Sequence, residues 1–239
     1  MFSKIKSAIT GDMKIISSNY RPVIPIAILF LVIFLLPAFF PVLSHSAYLN
    51  YGLQPDKYYT LISVTLVSLI PMLCGIAYEN SIYQKEEFVE IEESEKSSGS
   101  AKLSVYIRMF SVFVLSFLLI ILSILIIKPV PAQGWLRTLY AAILLSFQAP
   151  AAFLFPRIKK RIAGIALSGL YWLFFIALPI GLLLHHPWNR VACFSPFYWV
   201  AWAWMLKSPA GAVIYGSAAV ILTSILLIIL LKLSFRRNV

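Results

Sequence analysis

The sequence predicts an all-α, polytopic membrane protein, and three observations carry that reading. Hydrophobic residues fill 61% of the 239 positions and charged residues only 12%, with a mean hydropathy of +0.88. One soluble core cannot enclose that much apolar surface. The apolar residues also run without interruption, as in Val23–Leu43 and Val105–Ile127, rather than alternating. Only a helix or a closed barrel satisfies every backbone group in lipid, and barrel strands would alternate. Finally, the net charge of +11, which in a soluble protein would point to nucleic acid, divides here by side of a membrane.

Residues 1–22 come first. Phe2, Ile5, Ile9, Met13 and Ile16 recur at steps of three or four while Lys4, Lys6 and Lys14 fall elsewhere on the wheel. That pattern predicts an amphipathic helix on the inner membrane surface with its lysines at anionic headgroups, or else a frayed basic tail. Gly11 weakens such a helix by about 1 kcal/mol relative to alanine.

Six stretches then reach the roughly 20 residues that a bilayer requires: Val23–Leu43, Tyr58–Tyr78, Val105–Ile127, Leu136–Phe155, Ile162–Leu184 and Ala210–Leu233. The first exceeds a signal core and has no small-residue cleavage site at its end, so it reads as a span. Pro25, Pro37, Pro41, Pro71, Pro150 and Pro179 each remove a helical hydrogen bond and can kink their spans. Gln148 is the most polar side chain deep in any span. It either lines a translocation path or satisfies backbone freed near Pro150.

Basic residues set the orientation. With the N-terminus cytoplasmic, 15 of the 20 Lys and Arg fall in inner segments and 5 in outer ones, which places both termini inside and the protein in the plasma (inner) membrane. Arg157-Ile158-Lys159-Lys160-Arg161, between the fourth and fifth spans, is the tightest inner marker. Cys74 and Cys193 then lie at different depths, and no disulfide is expected.

Two segments between spans stand out. Glu79, Glu86, Glu87, Glu90, Glu92, Glu93 and Glu95 are seven of the nine acidic residues and fall between the second and third spans. In a helix Glu86, Glu90 and Glu93 share one face while Phe88 and Ile91 form an apolar spot on another. This suits docking into a groove on a soluble partner; a solvated acidic loop ending in Ser97-Ser98-Gly99-Ser100 fits the charge as well. The second segment, His185–Pro209, holds Trp188, Trp199, Trp202 and Trp204 with Phe194, Phe197 and Tyr198. Phe197–Lys207 is too short to span and too apolar for water. It reads as a re-entrant or interfacial outer helix, or as an ordinary aromatic belt.

The sequence offers no catalytic machinery. Its three histidines, His45, His185 and His186, fall in or at the edge of outer loops, and no metal-ligand spacing occurs. No G-x-x-x-x-G-K-[ST] loop is present, so ATP hydrolysis would belong to another chain.

Assembled, these parts resemble the permease subunits of ABC type-2 transporters. The local likeness is Tyr78-Glu79, then Glu86-Glu87-Phe88-Val89-Glu90, then Lys102 to Arg108 entering the third span. Ser94 to Ser100 stand where that family often carries a Gly-Thr pair and a small-residue-Pro turn. The resemblance implies that Glu86, Glu87, Phe88, Val89, Glu90 and Ile91 contact an ATPase, and that Phe197, Trp199, Trp202 and Trp204 sit on the outer re-entrant helix. It also implies a second permease subunit, with ATP and Mg on the partner ATPase and no cofactor on this chain.

The expected function is ATP-driven export of an amphipathic or hydrophobic cargo, whether peptide, lipid-linked molecule or drug. The alternative is a non-transporting scaffold or immunity protein that binds a partner through the acidic loop. An ion-driven carrier would need ionisable groups at mid-membrane and often an internal repeat, and the sequence supplies neither.

Overall fold

The computed structural model describes residues 21–51, 56–86, 98–127, 135–158, 195–205 and 208–236, and the regular elements among them are all helical. After a short 3-10 turn at Arg21–Val23 come α1 (Ile24–Tyr51), α2 (Asp56–Glu86), α3 (Ser98–Ile127), α4 (Trp135–Ser146), α5 (Ala149–Ile158), α6 (Pro196–Met205) and α7 (Pro209–Arg236). Five stretches are long and apolar enough to cross a membrane: Ile24–Val42, Ile62–Ser81, Leu103–Ile127, Leu136–Arg157 and Pro209–Ser234. They match the first four predicted spans and the last. The predicted span Ile162–Leu184 and the amphipathic segment up to residue 20 lie outside the described residues.

One sequence expectation is sharpened and one needs correction. The fourth span is present over Leu136–Arg157, and next to Pro150, where a kink was expected, it divides into two helices, α4 and α5, joined by a turn at Phe147–Gln148. The second span does not end at Tyr78, because α2 runs on to Glu86, so Glu79 is part of a helix and not of an acidic loop. Prolines act according to position. Pro25 and Pro150 stand second in α1 and α5, where the missing N–H has no intrahelical partner to lose. Pro37, Pro41 and Pro71 sit inside helices that continue through them.

Named contacts fix the directions. Near the start of α2, the Tyr59 hydroxyl donates to the Ile127 carbonyl at the end of α3 (2.7 Å), and its ring lies 4.7 Å from that of Phe40 in α1. Thus α1 and α3 run opposite to α2. Further along α2, Gly75 meets Ala152 and Phe153 of α5 and Glu79 meets Arg157, so α2 and α5 are parallel. On α7, Gly216 faces Tyr140 of α4 and Thr223 faces Gln148, which makes α7 parallel to α4 and α5.

The centre of this bundle is the α2 and α4–α5 pair. Buried positions make up 61% and 67% of their spanning windows, against 17% for α1 and 22% for α7. The outer helices turn large apolar side chains outward, among them Phe34 and Phe39 of α1, Phe110 and Leu118 of α3, and Ile214 and Ile221 of α7. In a bilayer such faces meet lipid tails as apolar as themselves.

Candidate functional site

The break in the central span is built by four backbone hydrogen bonds, one side-chain bond and one missing donor. The Phe147 N–H still donates to Ile143 (3.1 Å), but the Gln148 N–H reaches back only three residues, to Leu145 (3.0 Å). Pro150 has no N–H to give the Ser146 carbonyl. The Gln148 carbonyl then accepts from both Ala151 (3.1 Å) and Ala152 (3.2 Å) and starts α5. The Ser146 hydroxyl donates back to the Ala142 carbonyl at 2.6 Å, so the last turn of α4 is closed by a side chain.

Gln148 is fully buried at this break. Its amide nitrogen donates to the Thr223 hydroxyl of α7, and Thr223 passes its own proton to the Ala219 carbonyl (2.8 Å). The amide oxygen of Gln148 is buried with no hydrogen-bond partner among the described residues. The preceding residue, Phe147, meets the Phe113 ring of α3 edge-on at 6.3 Å. Gln148 therefore packs between helices, as its polarity predicts. Thr223, its partner, was not singled out from sequence, although a threonine in so apolar a stretch was a readable signal.

Toward the other end of α4, the predicted aromatic segment is a helix, α6, folded back on α7. Phe197 and Trp204 are buried against the bundle. Trp199 and Trp202 instead stack on Tyr215 of α7, at 5.4 and 6.2 Å with interplanar angles of 22° and 28°. Tyr198 meets both tryptophans edge-on, at 5.2 and 6.3 Å. The α7 face beneath is a stripe of small residues, Ala212, Gly216, Ala219 and Thr223, all buried, and such residues let helices approach closely in a membrane. The four predicted aromatics thus divide into two anchors and two stacking rings.

The third constellation joins α2 to α5. A Cβ on Gly75 would lie 2.6 Å from Ala152 Cβ, 2.6 Å from the Phe153 nitrogen and 2.8 Å from the Ala149 oxygen, so only glycine allows this approach. One turn further on, Arg157 Nε donates to Glu79 Oε1 at 2.7 Å, and the guanidinium lies 4.8 Å from the Phe153 ring centre. Phe153 in turn meets Tyr78 edge-on at 6.0 Å. Charge, ring face and close backbone lock the two helices in register. Sequence counted Glu79 with the acidic loop; the structure buries it in this joint. Of the predicted coupling residues, Glu86 closes α2, while Glu87, Phe88, Val89, Glu90 and Ile91 lie outside the described residues.

Five stretches able to cross a membrane, packed around a broken central span with a buried polar contact at the break, define a multi-pass membrane protein. Residues 100–232, more than half of the chain, match the model of the family described as "Fluoroquinolones export permease protein Rv2686c-like", and the chain belongs to that family of export permeases. No curated protein and no solved structure matches the chain.

Proposed function

We propose that this chain is the membrane subunit of an ABC type-2 exporter, paired with a second permease subunit and driven by a separate ATPase that binds ATP and Mg. The observation that carries the reading is the family match over residues 100–232, joined to the course of α2. That helix runs without interruption from the Gly75 contact through Glu79 to Glu86, the first residue of the acidic segment Glu86–Ile91. A push on that segment would travel along α2 and enter α5 through the Glu79–Arg157 pair. The break at Phe147–Gln148 would let α5 change its angle to α4, which packs on α6. Switching of this kind needs two arrangements that the ATPase contacts differently.

The parallel course of α5 and α7 supports six spans with both termini cytoplasmic. Two parallel spans in one chain call for a return crossing between them, which the span expected at Ile162–Leu184 would supply. Among peptide, lipid-linked and drug cargo, the family description favours a drug, and the near absence of charge along the spans favours an amphipathic or hydrophobic one.

The test is co-expression with any ABC ATPase encoded beside this chain. Copurification is expected, and substitution of Glu86, Glu87 and Phe88 should lower transport while leaving basal ATP hydrolysis in place. Failure to copurify with any ATPase would sink the exporter reading in favour of a scaffold.

A further inference from the structure

We propose that the break between α4 and α5 is an occluded binding site for a neutral hydrogen-bond donor, a hydroxyl or N–H carried on an apolar or aromatic cargo, with the Gln148 amide oxygen as its acceptor. The proposal rests on the export reading, whose cargo it would specify.

Gln148 is 1% exposed, and its amide oxygen has no partner among the described residues. Leaving a buried acceptor unsatisfied costs about 1–3 kcal/mol, a cost that leucine or methionine at this position would avoid. Thr223 cannot relieve it, since its proton is held by Ala219 and its oxygen already accepts from the Gln148 nitrogen. The backbone leaves an acceptor here as well. Pro150 cannot serve the Ser146 carbonyl, and the Ala151 N–H turns to Gln148 instead of Phe147. What the Gln148 oxygen lacks among the described residues is a donor.

Charge narrows the ligand class. Glu79 is the only carboxylate in the described spanning stretches, and Arg157 holds it. An ammonium at the break would therefore sit in an apolar setting with no counter-charge, which is costly. A neutral donor on an apolar or aromatic body has no such penalty. The half-helices share α3 and α7 as neighbours but differ in the rest, α4 packing on α6 and α5 chiefly on α2, so a change of angle at the break would open access.

The test uses the full chain in lipid nanodiscs, titrated with 4-fluorophenol and with 4-fluoroanisole and followed by fluorine NMR. The two probes share a ring and differ in one donor. Wild type is expected to bind the phenol roughly three- to tenfold more tightly, the ratio that one neutral hydrogen bond supplies. Gln148→Met should bind both probes at the level of the anisole. Gln148→Asn, which withdraws the oxygen by one methylene, is the second variant should the first not fold, with the same loss expected. Equal binding of the two probes by wild type, or discrimination that survives either substitution, would overturn the proposal. No ATPase takes part, so the titration succeeds or fails independently of copurification.

Discussion

Two of the contacts that hold the central span to its neighbours are made by opposite means. Where α5 meets α2, backbone touches side chain with nothing to spare at Gly75, and a buried ion pair closes the end. Where α7 meets α4 and α6, rings do the packing: Trp199 and Trp202 on Tyr215, and Tyr140 against Gly216. A joint made of backbone and charge has one low-energy geometry, because neither can slide without a clash or a bare charge. Stacked rings tolerate offset and tilt at little cost. The difference teaches that the span is gripped firmly beyond its break and more adaptably before it, which is what a helix that bends at Gln148 requires.

The sharpest way to break this comparison is Arg157→Ala. It removes the positive charge beside Glu79, whose side chain is only 6% exposed. Breaking a buried pair from one side costs about 3–5 kcal/mol, so a large fall in the thermal midpoint of the purified protein is expected. The Arg157→Lys variant keeps the charge but loses the planar guanidinium over Phe153, and should recover only part of the loss. An unchanged midpoint for Arg157→Ala would mean that the ion pair does not hold the joint.

Gly75→Ala comes next. The added methyl meets the Phe153 nitrogen and the Ala149 oxygen as well as a side chain, and backbone cannot step aside. Overpacking of this kind costs about 1–3 kcal/mol. The measurement is again thermal unfolding, with a cysteine crosslink between α2 and α5 reporting whether the helices separate.

Sequence showed five of the spans well because a membrane imposes a local rule: an unbroken apolar run of sufficient length is visible in one pass. The aromatic helix was visible for the same reason, since Phe197–Trp204 combines a short length with indole density. Pairings were not visible. Glu79 and Arg157 are 78 residues apart, and Gln148 and Thr223 are 75 apart, so no window holds both partners. Nothing beside Glu79 distinguishes it from the glutamates that follow. Proline was half legible. Pro71 and Pro150 look alike in sequence, yet only Pro150 coincides with a break, where the Gln148 carbonyl takes two N–H groups to begin a new helix.

The smallest expected effect is the most discriminating. Gly216→Ala places a methyl against the Tyr140 hydroxyl and ring edge, a tighter overlap on paper than the one at Gly75. The obstacle, however, is the far end of a half-buried side chain, and a tyrosine can swing about its first side-chain torsion at a cost of about 0.5–1.5 kcal/mol. Gly216→Ala should therefore destabilise less than Gly75→Ala despite the closer contact. If the two variants unfold at the same temperature, the α7 contact is as rigid as the α2 contact and the span is held equally on both sides of its break. If Gly216→Ala is the milder of the two, what decides the cost is whether the atom in the way belongs to backbone or to a movable ring, and the adaptable side of the span is the one that carries the aromatic helix.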